Sequence, residues 1–128
     1  MSVKTSSKTG YAVIVEAGGH ELRADEPASA GGTDTGPRPI ELVLASLAAC
    51  TSITLRMYAE RKGWDLGTID IAVALHDEHG TPRIERSIAF GLPLSSEQRG
   101  RLAEISEKTP VTKMLKTGIA IATSFRDR

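Results

Sequence analysis

Residues 39–62 read PIELVLASLAACTSITLRMYAERK, and how this stretch folds decides the rest. Between Glu41 and Arg56 it carries no charge, so no face is written for water. A surface helix shows a polar stripe, whereas a helix apolar all round is buried on every side. At about 1.5 Å per residue it would run roughly 35 Å, the width of a small domain. The expectation is a helix that threads the core. Pro39 suits its first turn, Glu41 complements the positive end of its dipole, and Gly63 is a natural stop. A bilayer needs about 20 mostly apolar residues. The uncharged run is shorter and is interrupted by Ser46, Thr51, Ser52 and Thr54, which argues against a membrane span.

Around this helix the composition is that of one compact domain covering residues 1–128, with 40% hydrophobic and 25% charged residues. Formal net charge is zero, which lacks the basic footprint of a nucleic-acid or anionic-membrane partner. Aromatic residues are too few for base-stacking platforms. The opening MSVKTSSKTGY has no apolar signal-peptide core, and a single cysteine forms no intrachain disulfide. Both point to a reducing, cytoplasmic setting.

Upstream of the helix, residues 11–16 and 20–25 alternate loosely about a turn at Ala17-Gly18-Gly19 and read as a hairpin. Residues 26–39, EPASAGGTDTGPRP, hold neither period and form a loop into the helix. Downstream, Ile69, Ile71, Val73 and Leu75 mark a half-buried strand, and Asp77-Glu78-His79-Gly80 turns it. Residues 83–92 form the returning strand, with Ile84, Ile88, Phe90 and Leu92 on one face and Arg86 in the same phase. A guanidinium among apolar neighbours is costly unless paired. The plainer expectation is that Arg86 lies near a strand end and snorkels to solvent; the sharper one is that it holds an anion in a site.

Ser95-Ser96-Glu97-Gln98 has capping-box spacing and starts a helix to about Lys108. Thr109 caps a second short helix that opens on Pro110 and ends near Gly118, and residues 119–125 read as a final strand. The fold class is therefore α+β with mainly antiparallel sheets. One sheet and two short helices leave part of an all-apolar helix bare. The same helix of a second subunit would cover it, which predicts a homodimer with an extensive interface.

Cys50 is the one strong nucleophile. Free cysteine is also among the most buried residue types, and mid-helix it is more often packing than catalyst. The helix dipole acts only at the ends, so reactivity requires a cation from elsewhere in the fold. His20, His76 and His79 are scattered and argue for no metal site. No nucleophile elbow and no dinucleotide-binding glycine spacing is present, so no cofactor is expected.

The run GGTDTGPRPIELVLASLAACTSITLRMYAERKGWDL, then IERSIAFGL, then SSEQRGRLAEISEKTPVTKML resembles, in that order, the OsmC/Ohr superfamily of osmotically inducible and organic-hydroperoxide-resistance proteins. The resemblance covers nearly the whole chain from about His20. It implies an intertwined homodimer with two long helices packed centrally and wrapped by sheets. It also implies that a helix cysteine attacks the peroxide O–O bond as a thiolate and becomes a sulfenic acid. A second cysteine, in a Cys-Pro-Val-type motif, then condenses with it before a dithiol reductant regenerates the pair. Cys50 matches the attacking position, but the second motif here reads Thr109-Pro110-Val111. Threonine forms no disulfide, so if Cys50 reduces peroxides its sulfenic acid is either resolved by an external thiol or left to overoxidise.

The resemblance further implies a supporting arginine and a glutamate straight after the proline that opens the helix. Ile40 stands at that glutamate position and Glu41 follows, nine residues and roughly 13 Å of rise before Cys50. His20 follows Gly18-Gly19 where the peroxidases have arginine. Arg23, Arg38 and Arg86 are substitutes, with Arg86 favoured by its phase. The leading expectation is a one-cysteine thiol peroxidase acting on organic hydroperoxides, with Cys50, Arg86 and Glu41 as its catalytic set. The alternative is a non-catalytic dimeric binding or stress-associated protein in which Cys50 is structural.

Overall fold

The computed structural model describes residues 1–127, and the chain falls into two compact units, Met1–Ala45 and Ser46–Arg128. In the first, β1 (Val3–Ser6), β2 (Val13–Ala17) and β3 (His20–Ala24) form an antiparallel sheet in that order. The β2–β3 hairpin closes through Gly18 and Gly19, with φ of 57° and 81°, and Ala17 faces His20 across it. Two successive positive φ values match the strand twist in a two-residue hairpin, and glycine adopts them without penalty. β1 has no counterpart in the sequence reading. Val-Lys-Thr-Ser carries no alternation, all four residues are exposed, and only pairing with β2 makes the segment a strand.

The loop that follows is irregular but not loose. Buried Asp25 accepts hydrogen bonds from the backbone N–H groups of Glu26, Thr33 and Thr35 and from the hydroxyls of Thr33 and Thr35. One carboxylate thus replaces the backbone ladder that a Gly/Pro-rich segment cannot make. The chain passes so closely that a Cβ on Gly32 would lie 2.0 Å from the Glu26 carbonyl oxygen.

Helix α1 spans Pro39–Lys62, the limits that its proline, acidic first turn and following glycine predict. The boundary between the two units falls inside it, after Ala45. In the second unit β4 (Ile69–Glu78) pairs with β5 (Thr81–Phe90), and α2 (Ser96–Ser106) and α3 (Pro110–Thr117) follow. Ser95 and Gln98 make the reciprocal capping box expected of them. Leu55, Ala59, Leu66 and Leu102 form the core, bordered by Ile69, Ile88, Phe90 and Ile105.

Two expectations change. Within the single chain α1 is not buried on every side: Leu47, Thr51, Leu55 and Ala59 form one covered stripe. The opposite stripe, including Ala49, Ile53 and Met57, is exposed, because β4, β5 and α2 reach one face only. Residues 119–125 form no strand either. Ile121 and Phe125 are 89% and 99% exposed, and no strand among the described residues offers them a ladder. By length and composition α1 is also apolar enough to cross a membrane. Its second half is instead tied to the body of its unit, with the Arg56 guanidinium donating to the Gly67 carbonyl at 2.7 Å.

The Asp25 cluster makes unit 1 acid-sensitive. The threonine hydroxyls, ahead of the backbone N–H groups, hold Asp25 well below the usual carboxylate pKa. Its contribution is complete above the unfolded-state value, about 4, and is lost as pH falls from there toward the depressed folded value. Thermal unfolding followed by circular dichroism is expected to show Asp25→Asn less stable than wild type at neutral pH. The gap should narrow between about pH 4 and pH 2. A gap that does not change with pH would show that Asp25 acts without its charge.

Candidate functional site

Arg86 lies in the middle of β5, facing inward in phase with Ile88 and Phe90, and its side chain is 12% exposed. It therefore does not snorkel from a strand end. One terminal nitrogen donates to Thr51 Oγ1 on α1 at 2.9 Å and to Thr112 Oγ1 on α3 at 3.0 Å. The other donates to the Ser106 carbonyl at 3.0 Å and to Glu107 Oε1 at 3.4 Å. A planar guanidinium is suited to such a fork, because its donors leave in fixed, diverging directions. One side chain thus joins α1, β5, the end of α2 and the start of α3.

The hydroxyls around it form an ordered chain. Thr51 donates to the Leu47 carbonyl at 2.7 Å, which leaves its lone pairs for Arg86. Thr112 donates to the Ser106 carbonyl at 3.2 Å, so in its 2.6 Å contact with Thr109 the proton comes from Thr109. Thr109 Oγ1 in turn accepts from the Thr112 backbone N–H at 3.1 Å and caps α3. Thr109 is fully buried and fully bonded. At this position a hydroxyl anchors a helix and a polar network, roles for which a thiol is a weak substitute.

Cys50 is half-buried on α1, on the flank between the covered stripe and the exposed one. Its Sγ meets one polar group among the described residues, Thr54 Oγ1 at 4.0 Å. The arginine favoured as its supporting cation is thus bonded to the next residue, Thr51. Glu41 is exposed in the first turn of α1, where its carboxylate accepts from the Arg38 backbone N–H at 3.0 Å and from Arg38 Nε at 3.2 Å. These bonds, the backbone one foremost, lower its pKa. Glu41 closes the helix N-terminus and Arg38 is its partner. Arg23 sits on β3 opposite Ile14. Of the histidines, His20 begins β3, His76 lies 3.8 Å from Glu85, and His79 occupies the β4–β5 turn with φ of 60°.

Beside the Arg86 network a cleft of about 510 Å³ opens between the β4–β5 hairpin and α3. Leu75, Ile84 and Leu115 form its walls, with Leu47 and Thr112 deeper in. Arg83, Arg86 and Lys116 face it, together with Glu107, which is ion-paired to both Lys116 and Arg86. The Lys116 hydrogen bond is the main cause of a lowered Glu107 pKa. The phase of Arg86 was visible in the sequence. Its partners were not, because Thr51, Ser106, Glu107 and Thr112 are separated by up to 61 positions and only the fold assembles them.

The family described as OsmC-like protein matches residues 32–124, nearly three quarters of the chain. The chain belongs to the OsmC-like family. Solved structures agree with this fold. A putative osmotic stress induced and detoxification response protein from Psychrobacter arcticus matches with a TM-score of 0.78 at 18% identity, over 88% of this chain and 86% of that one. An OsmC like protein from Mycoplasma pneumoniae matches at 0.76 and 17%, over 91% and 87%. The organic hydroperoxide resistance protein OhrB of Bacillus subtilis matches at 0.61 and 22%, over 91% and 90%. No curated protein matches the sequence. In this OsmC-like chain the arginine network, and not the thiol, is the densest cluster of polar bonds in unit 2.

Replacing Arg86 by Ala is expected to cost about 2–3 kcal/mol in denaturant unfolding, because charge-assisted bonds to four groups are lost together. Arg86→Lys should recover less than half of that, since one ammonium nitrogen cannot serve both the Thr51–Thr112 pair and the Ser106–Glu107 pair, which the guanidinium reaches with two. Full recovery by lysine would mean that charge alone matters.

Proposed function

We propose that this OsmC-like protein is a redox thiol protein in which Cys50 reduces organic hydroperoxides with an external thiol as reductant. The observation that carries the proposal is the placement of Cys50. It stays accessible on the flank of an uncovered helix stripe, while the residue in the family's second-cysteine motif, Thr109, is buried and bound into α3. OhrB of Bacillus subtilis and a putative organic hydroperoxide resistance protein from Vibrio cholerae, similar at 19% identity, support the substrate class by their names.

In this reaction the Cys50 thiolate attacks the terminal oxygen of R–O–OH. The S–O bond forms as the O–O bond breaks, sulfur gives up two electrons, and the alkoxide takes a proton to leave as the alcohol. A thiol then displaces water from the sulfenic acid to give a mixed disulfide. A second thiol releases reduced Cys50 and a disulfide of the reductant. Among the described residues of one chain no guanidinium is bonded to Sγ, and in this proposal the activating cation is supplied by a second chain.

That assembly is a homodimer with α1 at its centre, in the cytoplasm and with neither nucleic acid nor membrane as partner. Two features support it. Ile53 and Met57, 60% and 50% exposed, extend the uncovered stripe of α1, and Ile119, Ile121 and Phe125 form an apolar, unpaired tail. Sedimentation is expected to give twice the chain mass, and Ile53→Asp should shift it toward monomer with secondary structure retained. A monomeric wild type would remove the basis for the cation.

The activity is tested by following hydroperoxide consumption with dithiothreitol as the thiol. Turnover that vanishes in Cys50→Ser is expected. The second reading, a dimeric binding protein with a structural Cys50, is favoured by the commitment of Arg86 to hydroxyls. It predicts no turnover and a Cys50→Ser variant that is merely less stable.

A further inference from the structure

We infer that the cleft between the β4–β5 hairpin and α3 is a binding site for an amphipathic monocarboxylate, an aliphatic chain ending in one carboxylate. It is distinct from the thiol chemistry, and Cys50 does not line it. Its volume, about 510 Å³, is in the range of small-molecule sites, which are mainly apolar with a few convergent polar groups. Leu75, Ile84 and Leu115 are about 40% exposed along its walls, so an alkyl chain laid there removes apolar surface that this chain itself leaves wet.

The head group follows from the charges. Arg83, Arg86 and Lys116 converge on the cleft. Glu107 serves both Arg86 and Lys116, and Arg83 lies 3.1 Å from Glu85, outside the lining. Even with Glu85 counted, three cations meet two carboxylates, and one positive charge is left over. A single carboxylate completes the set, whereas a dianion would overshoot and a cation would be repelled. Arg83 and Lys116 are 55% and 61% exposed in their side chains, so their pairs with Glu85 and Glu107 are solvent-weakened and a ligand carboxylate can compete for them. Arg86 is held fast by Thr51 and Thr112 and fixes the positive end of the cleft.

The test is isothermal titration of the full chain, in its native oligomeric state, with decanoate and with 1-decanol. Saturable decanoate binding is expected, one ligand per chain, with decanol weaker by roughly tenfold or more. Arg83→Gln combined with Lys116→Gln should weaken decanoate by a similar factor and leave decanol unchanged, with the melting curve confirming an intact fold. Cys50→Ser should bind as wild type does. Equal affinity for acid and alcohol would overturn the assignment, leaving an apolar groove without an anion site. Absence of binding would overturn it too, the cleft then being covered by a second copy of the chain. Loss of binding in Cys50→Ser would assign the ligand to the thiol site instead.

Discussion

A guanidinium placed inside a small protein must be answered from every side, and the second unit of this chain is built around that requirement. Arg86 reaches the inner face of β5 through strict strand alternation, since residues 86, 88 and 90 share a phase. Once there it needs acceptors, and the neighbouring elements supply four: a hydroxyl from α1, a carbonyl and a carboxylate from the end of α2, a hydroxyl from α3. Apolar contact alone would let α3 slide along the hairpin. A forked, directional set of bonds fixes its position. The short α3, eight residues long, owes its docking to this network and to its threonine cap.

The same constraint explains why position 109 tolerates no idle residue. Thr109 donates into the hydroxyl chain and accepts the Thr112 N–H in the first turn of α3, so its two functions are helix capping and network closure. Cys50, by contrast, is half-buried, and its Sγ meets Thr54 Oγ1 alone among the polar groups of the described residues.

Much of this was legible in the chain itself. α1, both of its limits, the Gly18-Gly19 turn, the capping box and the Thr109-Pro110 start follow from local chemistry, and local chemistry needs no knowledge of the fold. β1 escaped because a polar, exposed strand has no periodic signal and exists only by virtue of its neighbour. Residues 119–125 misled for the opposite reason: they have strand periodicity and no partner among the described residues. The all-apolar composition of α1 correctly marked a long helix. It did not reveal that the chain covers one stripe alone, because composition counts apolar residues and not the elements available to pack on them.

The placement of Arg86 shows where sequence logic for the site stops. An apolar phase containing one arginine suggests a snorkel at a strand end or an anion held in a site, whereas the arginine stands mid-strand and is bonded to hydroxyls, a carbonyl and a carboxylate of its own chain. The identity of the pair is a tertiary fact, decided by which helix turn lies opposite. On α1, Thr51 points toward the hairpin and the adjacent Cys50 is rotated about 100° away. A helix cannot present two successive residues to one guanidinium. Arg86 can therefore lock α1 in place or stabilise a thiolate within its own chain, but not both, and the hydroxyl contacts show which of these the fold has chosen. Cys50, on the flank of α1 between the covered and the exposed stripe, lies outside that fork.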